Sequence, residues 1–395
     1  MVASVSKGER MKFKSPIRIP LSIPNLGPEE EASVLSVIRS GWVSSVSPVV
    51  RDFEKSFSQK TNALHAVATN NGTAAIHLAM LALGVDENDE VIVPALSFVA
   101  TANPIRYVGA TPVFVDVEGD TFGLDPDQLE AAITPRTKAI VATHLFGLPC
   151  RIREIVAIAN RYGIPVIEDA AESLGTTIDG QYAGTFGSVG CFSFNGNKTI
   201  TCGGGGMAVS NDPGLAEKMF HLSVQAREPG IEISHDEVGY NLRMTGLQAA
   251  LGVTQIQKLA GFVDKKRRIA RTYAQKLANI PGITTYVDGP FSDEASYWLS
   301  VILVDNPERR DQLIQRAIAC GIEFRPVFKP LQLLKPYKQF SHNRTFPVAE
   351  KLWRQGVCLP SSTTLSEIEQ QEIITLIQAQ FGKKTGFLSG SRIQA

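Results

Sequence analysis

The chain has 395 residues, more than one core normally grows to, so a large and a smaller domain are expected. Lysine plus arginine equals aspartate plus glutamate at 39 each, which leaves no electrostatic case for a nucleic acid or an anionic membrane as the main partner. Five scattered cysteines (Cys150, Cys191, Cys202, Cys320 and Cys358), none in a CxxC, argue against a disulfide framework or a zinc cluster and for a reduced, cytoplasmic protein.

Residues 1–16 read as a flexible charged tail without the apolar run of a signal peptide, and no later segment nears the roughly 20 apolar residues of a membrane span, so a soluble protein is expected. From Leu64 to Asp169 a unit repeats: a short apolar run, a turn, a helical pattern. "LHAVATN" leads into "GTAAIHLAMLALG", "DEVIVPAL" into "SFVATANPIRYVG", "TPVFVDVE" into "DPDQLEAAI", and "TKAIVATHLFG" into "RIREIVAIANRYG". Strand alternating with helix predicts an α/β fold with a mainly parallel sheet flanked by helices, and ligands at the edge where the strands end. "FGSVGCFSFNGNKTITCGGGGMAVS" reads as two buried strands joined by a tight turn that carries Lys198. "GLQAALGVTQIQKLAGFVDKKRRIARTYAQKLANI" is a long amphipathic connector helix. Beyond it, "SYWLSVILV", "RRDQLIQRAIACG", "IEFRPVFKPLQ" and "SEIEQQEIITLIQAQFG" form a smaller C-terminal α/β unit. The expected domains are 17–260 and 261–382, with a second flexible tail at 383–395.

The glycine run matches the dinucleotide fingerprint on paper, but "MAVSND" after it reads as a strand, where the fingerprint needs a helix. "GNKT" fails as a phosphate loop because its lysine does not follow the glycine directly and no helix succeeds it. "ATNNGTAAIHLAML" is a better anion site: a strand ends, Asn70 to Thr73 turn, and a helix begins whose free N–H groups suit a phosphate, or simply an N-cap. "VIEDAAES" ends a strand with Glu168 and Asp169, and a carboxylate buried at that edge calls for a cationic partner. Ser193 lies on the strand before Lys198, and the aromatic Phe98 follows another strand end. A phosphate cradle, a flat aromatic, a buried acid and a lone lysine are together what pyridoxal phosphate requires.

"FSFNGNKTITCGGGGM", "EDAAESLG", "NNGTAAIHLA" and "GYNLRMT", in this order, resemble the DegT/DnrJ/EryC1/StrS family of pyridoxal phosphate-dependent sugar aminotransferases over about residues 17–382. The resemblance implies an aspartate aminotransferase-like fold (fold type I) and a homodimer with shared active sites. It also implies that Lys198 carries the cofactor as a Schiff base and moves the proton, and that Asp169 pairs with the pyridine nitrogen. Gly72, Thr73 and Ser193 would hold the phosphate, Phe98 would stack on the ring, and Glu172 would stand near the ring hydroxyl. Asn241 would reach the phosphate of the other subunit. Relatives that dehydrate sugars carry histidine in place of the lysine, and Lys198 sets this chain apart from them.

The implied reaction moves an amino group from L-glutamate to C4 of a nucleotide-linked 4-keto-6-deoxyhexose. "VQARE" and "RPVFKP" resemble relatives that act on UDP-linked 4-keto-6-deoxy-GlcNAc more than GDP-perosamine synthases, which use GDP-4-keto-6-deoxymannose. Arg227, Arg325 and Lys329, in irregular segments, are either surface charges or ligands of the nucleotide diphosphate. His144 is read as a satisfied structural histidine with a direct role as the alternative, nothing suggests a metal site, and "KKRRIAR" is a solvated helix face. A non-catalytic regulator that keeps the cofactor as a ligand is the rival of another class.

Overall fold

The computed structural model describes residues 17–287, 294–341 and 344–381; the tails expected at 1–16 and 383–395 lie outside them. Helices α1 (Pro28–Ser40) and α2 (Pro48–Thr61) precede a seven-stranded sheet. Its strands are β1 (His65–Thr69), β2 (Glu90–Pro94), β3 (Thr111–Val115), β4 (Thr137–Thr143), β5 (Val166–Asp169), β8 (Val189–Ser193) and β9 (Gly206–Ser210). A small hairpin, β6 (Thr177–Ile178) with β7 (Gln181–Tyr182), interrupts the run. The spatial order is β1-β9-β8-β5-β4-β2-β3.

Crossovers through α3 (Gly72–Ala82), α4 (Asn103–Tyr107), α5 (Pro126–Leu129) and α6 (Ile152–Arg161) return the chain to the same edge, so β2, β3, β4, β5 and β8 pair in parallel. Strand β9 follows β8 without a crossover helix and is antiparallel to both β8 and β1. Both faces of the sheet are covered, as continuous apolar strands require: along β4, Ala139 and Val141 enter one core cluster while Ile140 and Ala142 enter another. The join between β8 and β9 is not the tight turn expected. It runs from Phe194 to Gly205 because Phe194 and Cys202 stay buried and bond to each other, Cys202 N–H donating to Phe194 O at 2.9 Å. Phe194 packs edge-on against Phe53 and Phe57 of α2 at 5.2 and 5.6 Å, which anchors the base of the loop.

After α7 (Pro213–Ser223), helix α8 (Gly246–Leu277) spans 32 residues and serves both units. Its first half packs beside Phe53, while Ile269, Tyr273 and Leu277 join the core of the smaller unit. The expected boundary at 260/261 therefore falls inside one helix. The smaller unit is an antiparallel sheet, β10 (Ile283–Thr285), β11 (Ser300–Val304), β12 (Arg325–Pro326) and β13 (Gly356–Leu359), in the order β10-β11-β13-β12. Helices α9 (Pro307–Ala319), α10 (Pro347–Gln355) and α11 (Glu367–Phe381) complete it. Ile19, near the start of the described chain, packs into this second core and bridges to Ile322. No described helix is long and apolar enough to cross a membrane.

One buried carboxylate ties the two units together. Asp116, just past β3 and 2% exposed, accepts the N–H groups of Val348 and Ala349 at 3.0 and 2.9 Å and so caps α10 from outside its own segment. Asp116→Ala removes the cap and leaves those donors buried without an acceptor. It is expected to lower stability by about 2 kcal/mol, read from the urea midpoint at unchanged slope; a loss below about 0.5 kcal/mol would show the cap to be dispensable.

Candidate active site

Where the parallel strands end, the two units enclose a cavity of about 390 Å³. The large unit contributes the start of α3, the turn after β2, the end of β5 and the β8–β9 loop; the smaller one contributes Trp298, Arg325 and Phe328. Asn71 caps α3, its Oδ1 accepting from Ala74 N–H at 2.8 Å, and the first residues of the helix, Gly72 and Thr73, line the cavity. Glycine is required at 72 by closeness: a Cβ there would stand 2.8 Å from Ser193 Cβ. The last glycine of the run, Gly206, is required for the same reason, since its Cβ would lie 2.6 Å from the Asn71 carbonyl. The last glycine of the run thus lets β9 pass close beneath the turn that opens α3.

Glu168 and Asp169 are neighbours on β5 and point to opposite faces. Glu168 is fully buried and saturated, accepting the N–H groups of Gly184, Phe186 and Gly187 at 2.6–2.7 Å and bonding His144 Nε2 at 2.9 Å. The Cys150 N–H points at His144 Nδ1 at 3.2 Å, which places the ring proton on Nε2, donated to Glu168. His144 is thus held between Glu168 and the Cys150 N–H, and it is not among the residues that line the cavity. Asp169 lines the cavity, with Oδ2 accepting from Thr101 Oγ1 at 2.6 Å and Oδ1 from Ala171 N–H at 3.1 Å. Burial raises its carboxyl above the ordinary range, against those bonds and the Lys198 charge.

Lys198 enters from the β8–β9 loop, its side chain 13% exposed, with Nζ 3.2 Å from Glu172 Oε1 and 3.9 Å from the centre of the Trp298 ring. Glu172 is buried, and its other oxygen accepts from Phe146 N–H at 3.0 Å. Burial raises this carboxyl too, with Lys198 opposing. Phe98, half exposed, lies open to the cavity beside Phe328 at 5.5 Å.

Of the residues singled out in the sequence, Gly72, Thr73, Phe98, Asp169, Glu172, Ser193, Lys198 and Arg325 come together here. Arg227, Lys329 and Asn241 do not. Arg227 stands on an exposed loop bridged to His235, Lys329 Nζ rests 5.5 Å over the Trp353 ring, and Asn241 is exposed outside this chain's cavity. Sequence reasoning missed Thr101 and Trp298. Neither belongs to a patterned motif; Thr101 sits in the irregular turn after β2, and Trp298 reads as the start of a core strand.

The profile of the DegT/DnrJ/EryC1/StrS aminotransferase family matches residues 24–378. The chain belongs to that family. It is 40% identical over 362 residues to the GDP-perosamine synthase of Caulobacter vibrioides, covering 91% of this chain and 97% of that protein. The aminotransferase TlmJ from Streptoalloteichus hindustanus superposes with a TM-score of 0.87 at 31% identity, covering 92% of this chain and 98% of that one. PseC of Helicobacter pylori, an aminotransferase involved in the biosynthesis of pseudoaminic acid, gives 0.87 at 27% identity, covering 92% and 99%. The fold is fold type I, and the family activity is pyridoxal phosphate-dependent amino transfer to a nucleotide sugar. The residues present fit that cofactor: the α3 terminus at Gly72 and Thr73, with Ser193 beside it, suits a phosphate, and Asp169 suits a protonated ring nitrogen.

Because the Asp169 carboxyl titrates higher folded than unfolded, it weakens the cofactor-free fold once the pH rises past its ordinary value, and contributes nothing below it, where both states are protonated. Asp169→Asn should therefore make the cofactor-free protein more stable at pH 7, an advantage that fades towards about pH 4. Urea titrations at the two pH values check this, and an equal or lower stability at pH 7 would contradict it.

Proposed function

We propose that this chain transfers an amino group from L-glutamate to C4 of a nucleotide-linked 4-keto-6-deoxyhexose with pyridoxal phosphate as cofactor. The observation that carries the reading is one amine, Lys198 Nζ, facing the same cavity as a buried aspartate and an open helix N-terminus. Bound there, pyridoxal phosphate supplies an aldehyde that condenses with amines and a ring that takes up an electron pair. Gly72, Thr73 and Ser193 would hold the phosphate, Phe98 would cover a ring face, and Asp169 would keep the proton on the ring nitrogen. Lys198 would hold the group covalently and carry the transferred proton on Nζ. The exposure of Asn241 outside its own chain's cavity supports a homodimer in which that residue serves the partner's site.

Borohydride treatment of the cofactor-loaded protein is expected to fix the cofactor on Lys198, as located by peptide mapping, while Lys198→Ala binds it without covalent attachment and turns nothing over. Reduced cofactor on any other lysine would remove the assignment. Production of 2-oxoglutarate from glutamate only when a keto sugar is present separates the transferase from a regulator that merely holds the cofactor.

For the sugar, the resemblance of "VQARE" and "RPVFKP" favours UDP-linked 4-keto-6-deoxy-GlcNAc, and Arg325 of the second segment lines the cavity. The likeness to a GDP-perosamine synthase supports GDP-4-keto-6-deoxymannose as the second reading. The UDP sugar is expected to show a kcat/KM at least about tenfold higher, or about 1.4 kcal/mol in transition-state binding. Side-by-side kinetics that favour the GDP sugar would reverse the order.

A further inference from the structure

The indole of Trp298 closes one side of the cavity, and its own contacts fix it there. Its Nε1–H donates to Asn197 O at 2.7 Å, the carbonyl that also accepts from Ser22 Oγ at 2.9 Å, so the residue before Lys198 is held from two directions. The ring lies 9° from parallel to that of Phe146, with centroids 6.5 Å apart. The Trp298 carbonyl accepts from Lys266 Nζ at 2.9 Å, and the same nitrogen donates to Ser361 O at 2.8 Å. Lys266 is 2% exposed on α8, and burial pushes its ammonium down to about 7. It links the helix to the segments before β11 and after β13.

This scaffold presents the indole face to Lys198 Nζ at 3.9 Å, while Glu172 Oε1 stands 3.2 Å from the same atom. A lysine amine on a four-carbon stem has many rotamers and strong hydration, and an aromatic face opposing a carboxylate narrows both. We propose that Trp298 is a positioning residue for Lys198, its ring and the Glu172 carboxylate forming a berth that holds the ammonium whenever the amine is not bonded to the cofactor. The assignment rests on the reading of Lys198 as the cofactor-bearing lysine. A transaminase lysine is set free in each half-reaction and must then deliver a proton, so an amine kept in one place meets the reacting atom without a search.

The test uses the cofactor-free chain. Acetylation of Lys198 by acetic anhydride at one fixed pH is followed by peptide mapping against Lys138, which is exposed. Trp298→Leu and Trp298→Phe both remove the indole N–H and open room, but only Phe retains an aromatic face. Lys198 is expected to acetylate at least about threefold faster in Trp298→Leu than in the parent, and within about twofold of the parent in Trp298→Phe. Equal acceleration in both variants would assign the effect to the N–H or to access, and unchanged rates in both would remove the berth; either result overturns the proposal. Should Trp298→Leu fail to fold, Trp298→Met, longer and still without a ring, makes the same comparison. Pyridoxal phosphate titrated into the parent chain reports separately: no binding there would sink the function reading, whatever the acetylation rates show.

Discussion

The cavity is organised around the charge pair between Lys198 and Glu172. Two charges taken out of water recover that cost only when geometry and further hydrogen bonds are good, and here each partner has a second contact, Trp298 for the ammonium and the Phe146 N–H for the carboxylate. A second buried carboxylate, Asp169, faces the same space, so one lysine stands before two acids. Burial raises both carboxyls, and each is countered by Lys198. A ligand that brings a protonated ring nitrogen to Asp169 would balance that acid, which is an electrostatic reason the site suits pyridoxal phosphate.

Adjacent residues of one strand show how local this tuning is. Glu168 turns away from the cavity and receives three backbone N–H groups and an imidazole, the full solvation a buried carboxylate needs. Asp169, one residue on, receives two bonds and keeps a face to the cavity. The period of two in a strand lets a single sequence step separate an enclosed acid from one that lines the cavity.

That step also marks the limit of what the sequence discloses. The alternation of apolar runs and helical patterns made the parallel sheet legible, and the glycine run with Lys198 and the acid pair at the end of β5 marked the edge where the cavity lies. Which of the two acids faces the cavity was not legible in the local pattern, because it depends on the face each side chain takes; only the family resemblance singled out Asp169. Thr101 and Trp298 were hidden for a different reason: their partners Asp169 and Asn197 lie 68 and 101 positions away, and no local pattern encodes such a contact. For Arg227 and Lys329 the sequence left two readings open, because a cation in an irregular segment has the same appearance whether it faces a cavity, solvent or, as Lys329 does, an aromatic ring.

The smaller unit is therefore part of the site. Among its contacts with the large unit, Asp116 caps α10 through the backbone, Phe114 packs edge-on against Tyr337 and Phe346 at 6.0 and 6.5 Å, and Trp298 grips the lysine loop at the Asn197 carbonyl. The first two fix where the unit sits, through directional and packing interactions that tolerate little displacement. The third converts that position into the position of one amine. A shift of the smaller unit by an ångström would leave the sheet and its Asp169 unmoved but would alter the hydrogen bond at Asn197 and the ring contact at Lys198 together. Placement of the lysine is thus a property of the interface between the units, and it depends on residues far from Lys198 in sequence.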